Sequence, residues 1–316
     1  MNRFMKFVSL LMLVVLMGCS PKAAPSQEKV QQPAASAATL DPLANSPWKI
    51  VYQSKIEQPV RLAAFMDASY GLTGGADNAG RAYVTTDGGQ TWTMSTQSSG
   101  CLFSLDIIDK DVVWECNFSD VRPSYDGGKT WQDKPRGMGQ PGCTVSAADR
   151  QTAWHLTPSK FQMTTDGGAT RTPVNMPEGV TIYTIAAISL RTVQDGYLLD
   201  SDGNLYVTAD AGQTWAKRTT FGLIKYEPMK LIAFKGLPNA AIRFTDEKHG
   251  LVILSMLGGG NSKVYALHTQ DRGQSWTEEE VPTSVGQPYI SRDGTYLTMV
   301  SLLRFNEVTL LHYEIE

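Results

Sequence analysis

The chain has 316 residues, of which 42% are hydrophobic, and a formal net charge of −3 at pH 7. This near-neutral balance, without a basic cluster, argues against a nucleic-acid-binding protein. The chain also has no acidic tail that would indicate a cationic partner.

The first residues of the chain have the layout of an export signal. Arg3 and Lys6 precede an apolar run from Phe7 to Met17. That run is shorter than the roughly 20 residues that a membrane-spanning helix needs. We therefore predict that residues 1–18 form a secretory signal peptide.

The end of the signal, LMGC at residues 16–19, resembles the lipobox of bacterial lipoproteins. The resemblance implies that Cys19 is diacylated, becomes the first residue of the mature protein and binds a lipid bilayer. An ordinary signal peptide with a chance Cys is the alternative. The lipoprotein interpretation places the protein outside the cytoplasm, on the outer face of the cytoplasmic membrane or at the outer membrane.

The segment after Cys19 has the composition of a linker. Residues 20–46 are rich in Ala, Pro, Ser and Gln and contain no aromatic residue, so they cannot bury enough apolar surface to order themselves. We predict that residues 19–46 are the lipidated Cys and a flexible tether with a reach of roughly 30 Å. The remaining residues, 47–316, have a length that is normal for a single all-β propeller.

Three cysteines follow Cys19 in the chain, at Cys101, Cys116 and Cys143. An exported protein folds where disulfides persist. Cys101 and Cys116 flank a predicted hairpin centred near residues 108–109, so a disulfide between these two is one prediction. Buried free thiols are the alternative, because spacing alone does not fix connectivity.

An eight-residue motif occurs five times in the chain. The copies are Thr85–Trp92 (TTDGGQTW), Ser124–Trp131 (SYDGGKTW), Thr164–Arg171 (TTDGGATR), Thr208–Trp215 (TADAGQTW) and Thr269–Trp276 (TQDRGQSW). Successive aspartates, at Asp87, Asp126, Asp166, Asp210 and Asp271, are 39, 40, 44 and 61 residues apart. A period near 40, with several short strands in each unit, predicts a β-propeller.

The residue types of the motif predict a hairpin turn between the third and fourth strands of each unit. Asp-Gly and Asp-Gly-Gly supply the positive backbone angles that such turns need. The Asp side chain accepts hydrogen bonds from backbone N–H groups just beyond it. The final indole then buries a large apolar area between neighbouring sheets, at Trp92, Trp131, Trp215 and Trp276. We expect the five aspartates to be structural, because five near-identical acids cannot all form one active site.

The motif resembles the Asp-box, or BNR, repeat S/T-x-D-x-G-x-T-W, with Arg171 in place of Trp and Ser275 in place of Thr. The family occurs in sialidases, sortilin-type receptors, some plant-wall glycosidases and photosystem II stability/assembly factor-like proteins. The sequence pattern of this chain, in which F-x-D-x-x-x-G-type strands precede the motif, is most similar to that of the assembly-factor-like group. The resemblance covers about residues 60–285 and implies a propeller fold.

We predict an all-β, six-bladed propeller with four strands in each blade. The five blades that carry a motif cover about residues 60–97, 100–138, 142–177, 180–220 and 240–283. The last blade combines the C-terminal residues with an N-terminal strand at Trp48–Gln53, which closes the ring. Residues 221–238, which mix aromatics with lysines, are either an insertion with a candidate recognition surface or a degenerate seventh blade.

A sialidase-like glycoside hydrolase is the competing functional class. That resemblance implies an arginine triad, a Tyr–Glu nucleophile pair and an acidic general acid. Arg61, Arg243 and Arg304 are the candidates for the triad, but solvated or ion-paired arginines are the favoured interpretation, and fold alone does not confer activity. The four histidines are isolated in the sequence, so we predict no metal site and no cofactor.

These features together predict a membrane-tethered propeller outside the cytoplasm that acts as a binding or assembly platform without catalysis. Its partner is an unidentified protein or glycan. Propeller ligands meet the loops at one end of the central channel, because the loops of every blade converge there.

Overall fold

The computed structural model describes residues 30–31, 46–56, 60, 62–74, 81–96, 102–117, 121–132, 143–222, 239–256, 262–301, 304 and 306–314. The regular structure in these ranges is almost entirely β-strand, with one 3-10 turn at Ile182–Thr184. Within the same ranges, no helix is both long enough and apolar enough to cross a bilayer.

The first thirteen strands are β1 (Val30–Gln31), β2 (Trp48–Lys55), β3 (Leu62–Phe65), β4 (Gly71–Gly74), β5 (Ala82–Thr85), β6 (Thr91–Met94), β7 (Leu102–Ile107), β8 (Val113–Asn117), β9 (Val121–Ser124), β10 (Thr144–Ala147), β11 (Ala153–Leu156), β12 (Phe161–Thr164) and β13 (Thr172–Pro173). The remaining strands are β14 (Ile185–Leu190), β15 (Gly196–Asp200), β16 (Asn204–Thr208), β17 (Ala216–Thr220), β18 (Ala240–Phe244), β19 (Gly250–Met256), β20 (Lys263–Thr269), β21 (Thr277–Val281), β22 (Gly286–Ile290), β23 (Tyr296–Ser301) and β24 (Glu307–Tyr313).

These strands form six antiparallel sheets, which are the six blades of a propeller. Blades one to five are built from β3–β6, β7–β9, β10–β13, β14–β17 and β18–β21, and blade six is built from β22–β24 and β2. Blade two has three strands among the described residues, and its chain leaves the described ranges after Gln132. The all-β, six-bladed architecture predicted from the repeat is confirmed.

The first strand of each blade lies innermost, and the six first strands form a closed ring. β3 contacts β7, β7 contacts β10, β10 contacts β14, β14 contacts β18, β18 contacts β22, and β22 returns to β3. Because β14 and β18 are direct neighbours, no further blade separates blades four and five. The alternative of a seventh blade is therefore excluded, although residues 223–238 themselves lie outside the described residues.

The N-terminal strand closes the ring as predicted and is slightly longer than Trp48–Gln53. β2 pairs with β24 from Trp48 opposite Tyr313 to Lys55 opposite Glu307. The indole of Trp48 is buried, and its Nε1 donates a hydrogen bond of 2.8 Å to Oε1 of Glu279 in blade five. The last blade is thus held both to the start of the chain and to its neighbour.

Two residues of the predicted tether are paired with the propeller. Val30–Gln31 form the short strand β1, which lies antiparallel to β6 with Val30 opposite Trp92. β1 thus adds a contact between the predicted tether and blade one, and the flexibility of the tether stays a prediction. Cys19 and the rest of the segment up to residue 45 lie outside the described residues.

The blades bury alternate side chains of their strands against the two neighbouring blades, as expected for period-two strands. Along β11 of blade three, Ala153 packs with blade two, whereas Trp154 and Leu156 pack with blade four. His155 lies on the same face as Ala153 and is also buried. Blade three therefore shows a different set of side chains to each neighbour.

The structure corrects the predicted disulfide. Cys116 is bonded to Cys143, with Cα atoms 6.0 Å apart, and not to Cys101. The predicted hairpin does form from β7 and β8, but its register places Ser104 opposite Cys116. Cys116 points toward blade three, where Cys143 enters β10, so the bond joins two blades instead of two strands of one hairpin. Cys101 lies outside the described residues.

Candidate functional site

The five Asp-boxes share one hydrogen-bond geometry. In blade one, the Thr85 hydroxyl donates to Oδ1 of Asp87, and the Gly89 N–H donates to Oγ1 of Thr85. The Thr91 N–H donates to Oδ1 of Asp87, and the Thr91 hydroxyl donates to Oδ2. Across the five boxes these four bonds measure 2.7–2.9, 2.8–2.9, 2.8–2.9 and 2.5–2.6 Å.

This bonding occupies both oxygens of every box carboxylate and favours its charged form. Hydrogen bonds from the hydroxyl and N–H four residues later hold the pKa of Asp166, Asp210 and Asp271 at about 2. A carboxyl group that stays ionised and fully bonded cannot act as a general acid near neutral pH. The geometry and these pKa values support a structural role for the box aspartates.

Each box is also tied to the turn between the first and second strands of its blade. The residue after the box Asp adopts a positive φ and donates its N–H to a carbonyl of that turn over 2.7–3.0 Å. This residue is glycine in the first three boxes, and it is Ala211 and Arg272 in the last two, with φ of 61° and 65°. Boxes and first turns therefore lie at the same end of the propeller.

The box tryptophans fill the gaps between blades, and each packs against the preceding blade. Trp92 packs with blade six, Trp131 with blade one, Trp215 with blade three and Trp276 with blade four. Trp92 and Trp131 are buried between the blades, whereas Trp215 and Trp276 are half-buried there. At the equivalent place in blade three, Arg171 reaches back to blade two, where its Nη2 is 3.4 Å from the carbonyl oxygen of Val121.

The central channel encloses a cavity of about 100 Å³ along the six first strands. Small and apolar side chains provide most of its lining, including Ala63, Ala186, Ala187 and Ala241. Because a water molecule occupies about 30 Å³ of liquid, the cavity has room for a few waters or a very small ligand. It is not large enough for a sugar chain or a peptide.

Polar side chains close the channel at the end where the boxes lie. Nη2 of Arg243 is 2.6 Å from Oδ1 of Asp106, which joins blade five to blade two across the ring. Arg292 of blade six donates to the carbonyl oxygen of Ala147 in blade three over 3.0 Å. The Tyr289 hydroxyl accepts a bond of 3.0 Å from the Ile107 N–H. We call Asp106, Tyr289, Arg243 and Arg292 the channel plug.

The charge state of the channel plug is fixed by mutual pairing. Burial alone would lower the pKa of Arg243, but the adjacent Asp106 carboxylate raises it, so the guanidinium stays charged. Oδ2 of Asp106 also accepts a bond of 2.8 Å from the Ala147 N–H. Asp106 and Arg243 therefore form a buried ion pair across the ring, which suits a structural tie.

A larger groove of about 500 Å³ lies between blades four and five at the box end of the propeller. Its lining includes three arginines, two carboxylates and two aromatic rings, at Arg191, Arg218, Arg272, Asp195, Glu247, Tyr197 and Trp215. We call this feature the arginine groove. The first turn of blade four and the boxes of blades four and five supply most of its wall.

Two of the three guanidinium groups in the arginine groove are paired within the groove itself. Arg191 lies 2.7 Å from Asp195, and Arg272 lies 2.8 Å from Glu247. Arg218 is exposed on β17 and has no acidic partner among the described residues. Positive charge therefore exceeds negative charge in the groove, and an incoming carboxylate can pair with Arg218.

The arginines considered for a sialidase triad do not converge in the described structure. Arg243 belongs to the channel plug, whereas Arg304 is exposed on blade six and lies 3.6 Å from Glu307. Arg61 and the segment 223–238 lie outside the described residues. The sequence did not predict the arginine groove, because Arg191, Arg218 and Arg272 are 27 and 54 residues apart in the chain and meet only in the folded ring.

The comparisons with known proteins agree with this geometry. Turns of the Asp-box type in five of six blades define the class as an Asp-box β-propeller. A family model described as the BNR/Asp-box repeat matches residues 83–94, which contain the first box. The structure is accordingly a six-bladed propeller with Asp-box turns, and its first box matches the BNR/Asp-box repeat model.

Several solved structures share the fold at low sequence identity. The structure titled "YCF48 bound to D1 peptide" has a TM-score of 0.51 and 17% identity, covering 89% of this chain and 100% of that one. YCF48 from Cyanidioschyzon merolae has a TM-score of 0.50 and 14% identity, covering 84% and 98%. The structure of U3-55K reaches a TM-score of 0.54 at 7% identity, covering 84% and 98%. These likenesses establish the fold alone.

A curated relative comes from Neosartorya fischeri and is described as a probable oligoxyloglucan-reducing end-specific xyloglucanase. It is 25% identical over 179 residues, which cover 47% of this chain. The matched region spans only 22% of that relative's length. The likeness is too partial to carry the activity of the whole relative.

Proposed function

We propose that the protein is a membrane-tethered binding platform outside the cytoplasm, and that the arginine groove holds an acidic segment of a partner protein. The observation that carries the proposal is the exposed Arg218, flanked in one groove by Arg191 and Arg272. A guanidinium group forms paired hydrogen bonds with a carboxylate, which gives both affinity and orientation.

The aromatic rings beside these arginines support a protein partner. Trp215 and Tyr197 both line the arginine groove, and Trp, Tyr and Arg are the residue types that dominate the energetic centres of protein interfaces. The scaffold under the groove is rigid, because Trp215 packs on blade three and donates from Nε1 to the Asn175 carbonyl over 2.8 Å. A preformed surface loses little entropy when it binds.

The likeness to YCF48 is compatible with a peptide as the ligand. That protein is described as bound to a D1 peptide, so at least one propeller of this shape holds a peptide. At 17% identity the likeness does not transfer the partner. It supports only the kind of ligand that the arginine groove is proposed to take.

The tether positions the propeller relative to the membrane in this proposal. If Cys19 is acylated and β1 stays paired with blade one, only residues 20–29 separate the lipid anchor from the propeller. Ten extended residues span at most about 35 Å. The bilayer then lies close to the outer edge of blade one, and the arginine groove lies on the far side of the ring.

The test is co-purification from crosslinked membranes followed by mass spectrometry. The wild-type chain is expected to retain an acidic partner, and the triple variant Arg191→Gln, Arg218→Gln, Arg272→Gln is expected to lose it. A matched control replaces Lys110 and Lys129 by Gln, because both line a similar groove of about 420 Å³ between blades one and two. The control is expected to keep the partner.

Circular dichroism and thermal melting of all three proteins separate lost binding from lost folding. The proposal is wrong if the folded triple variant keeps the same partner as the wild type. Replacement of Cys19 by Ser tests the tether separately, because it should move the chain from the membrane fraction to the soluble fraction without changing the partner.

Glycoside hydrolysis is the second candidate function, because of the partial likeness to a xyloglucanase. Such enzymes use two carboxyl groups on either side of the scissile bond, and the arginine groove contains Asp195 and Glu247. The test is release of new reducing ends from xyloglucan oligosaccharides. Turnover that disappears in Asp195→Asn or Glu247→Gln would favour the enzyme over the platform.

A further inference from the structure

The interface between blades two and three holds three side chains that bind soft metals. Cys116, Cys143 and His155 are 0%, 4% and 8% exposed. Their sulfur atoms and a ring nitrogen of the histidine all lie within 4.8 Å of one another. Bonds of about 2.0–2.3 Å, as for zinc with histidine nitrogen and thiolate sulfur, would let one ion reach all three after small side-chain rotations.

The histidine of this cluster has an unexplained polar atom. Nδ1 of His155 is buried and has no hydrogen-bond partner among the residues that the structure describes. Buried polar atoms in native proteins nearly always have a partner, because an unpaired one destabilises the fold. The neutral imidazole is the form of histidine that binds metals.

The charges around the cluster favour a monovalent ion. Two thiolates and one Cu⁺ carry a net charge of −1, whereas two thiolates and one Zn²⁺ are neutral. The Arg171 and Lys160 charges act on the His155 ring, and Arg171 also contacts blade two through the Val121 carbonyl. Their positive charge stabilises an anionic complex at this interface more than a neutral one. Thiolate and imidazole ligands are also the types that suit Cu⁺.

We propose that Cys116, Cys143 and His155 form a redox-gated site for a soft monovalent cation, with Cu⁺ as the ion. In the oxidised chain the two sulfurs are bonded to each other and the site is closed. A phosphine or dithiol reductant supplies two electrons, and with two protons the S–S bond becomes two thiols. Binding of Cu⁺ then releases the two thiol protons and forms two S–Cu bonds and one N–Cu bond.

The experiment uses the full chain with Cys19→Ser and Cys101→Ser, so that Cys116 and Cys143 are the only cysteines. The chain is reduced with a phosphine under anaerobic conditions and titrated with Cu⁺ held by a chromophoric bicinchoninate chelator. The expected result is one Cu⁺ per reduced chain and none per oxidised chain. In parallel, the melting temperature of the reduced chain should rise with Cu⁺, because the ion binds the folded state.

Two sets of variants complete the test. Cys116→Ser and Cys143→Ser should each abolish uptake. His155→Asn should weaken it by at least about tenfold, the loss that even outer-shell partners of a metal cause. His249→Asn is the matched control, because His249 is exposed and paired with Asp246, and it should leave uptake unchanged.

The proposal is overturned if the oxidised and reduced chains take up equal Cu⁺, or if His155→Asn and His249→Asn behave alike. Stoichiometric uptake of Zn²⁺ in preference to Cu⁺ would overturn the choice of a monovalent ion. If the serine variants do not fold, the His155→Asn titration and the melting shift of the reduced parent chain still decide the outcome.

Discussion

Blade three meets its two neighbours through unlike surfaces. Toward blade four it presents Trp154 and Phe161, whose rings lie 5.2 Å apart, and the box Trp215 of blade four packs 5.6 Å from Trp154. Toward blade two it presents His155, Cys143 and Arg171. One interface is thus an aromatic cluster, and the other is a covalent bond beside a buried imidazole.

The difference follows from one residue of the repeat. The box of blade four brings an indole onto blade three, whereas the box of blade three brings the guanidinium of Arg171 onto blade two. A guanidinium group buries less apolar area than an indole, and area removed from water is the main source of packing free energy. The Cys116–Cys143 bond lies at the interface where the tryptophan is absent. The turn geometry is conserved between the boxes while the contact between blades changes.

The largest effect is expected at the aromatic interface. Trp154 is fully buried, so Trp154→Ala should lower the free energy of unfolding by about 3–5 kcal/mol through lost contacts and a new cavity. Urea unfolding followed by circular dichroism measures this value. A loss below about 1 kcal/mol would mean that the aromatic cluster does not hold blades three and four together.

At the other interface, the covalent bond should matter more than the packing. Cys143→Ser should lower the free energy of unfolding by about 2–4 kcal/mol, because it releases a constraint on the unfolded chain. Cys101→Ser is the control and should leave the melting temperature and its response to reductant unchanged. If Cys101→Ser instead removes that response, the bond pairs different cysteines from those described above.

The two interfaces should also differ in pH dependence. His155 has a pKa of about 3 in the folded chain and about 6.5 when unfolded, so the unfolded chain binds the extra proton. The free energy of unfolding should therefore be undiminished by His155 above pH 6.5. It should fall as the pH drops toward 3, by up to about 1.4 kcal/mol per pH unit. His155→Leu should remove this loss, as measured by urea unfolding at a series of pH values.

The box aspartates affect the free energy of unfolding in a lower pH range, and this effect is common to both interfaces. Asp166 and Asp210 have a pKa of about 2 when folded and about 3.9 when unfolded. Their contribution is present above pH 4 and is lost as the pH falls toward 2. If the free energy of unfolding of His155→Leu still fell between pH 6.5 and 4 as steeply as that of the wild type, His155 would not be the cause of the loss in this pH range.

The smallest effects are expected at the residue after the box Asp. This residue is Gly167 in blade three and Ala211 in blade four, and both have a positive φ. Gly167→Ala should lower the free energy of unfolding by about 1 kcal/mol, and Ala211→Gly should raise it by about 0.5 kcal/mol. Chemical denaturation measures the free energy of unfolding of both variants. If both substitutions changed it in the same direction, the described turn geometry would be contradicted.

The fold was predictable because its signals are local. Each Asp-box is eight consecutive residues, and the sequence predicted the hairpins and the closing strand at Trp48 correctly. The disulfide was not predictable, because Cys116 and Cys143 are brought together by the packing of two blades. The channel plug and the arginine groove depend on the same ring closure, which places Asp106 opposite Arg243 although 137 residues separate them.

The channel plug and the first strands leave little free space along the axis of the propeller. Two contacts cross the ring between opposite blades, the ion pair Asp106–Arg243 and the hydrogen bond from Arg292 to the Ala147 carbonyl. The cavity beside them measures only about 100 Å³. A molecule that binds at one end of the channel therefore has little room to reach the other end. The two ends of the propeller can thus bind separate partners at the same time, and each partner contacts only the loops at its own end.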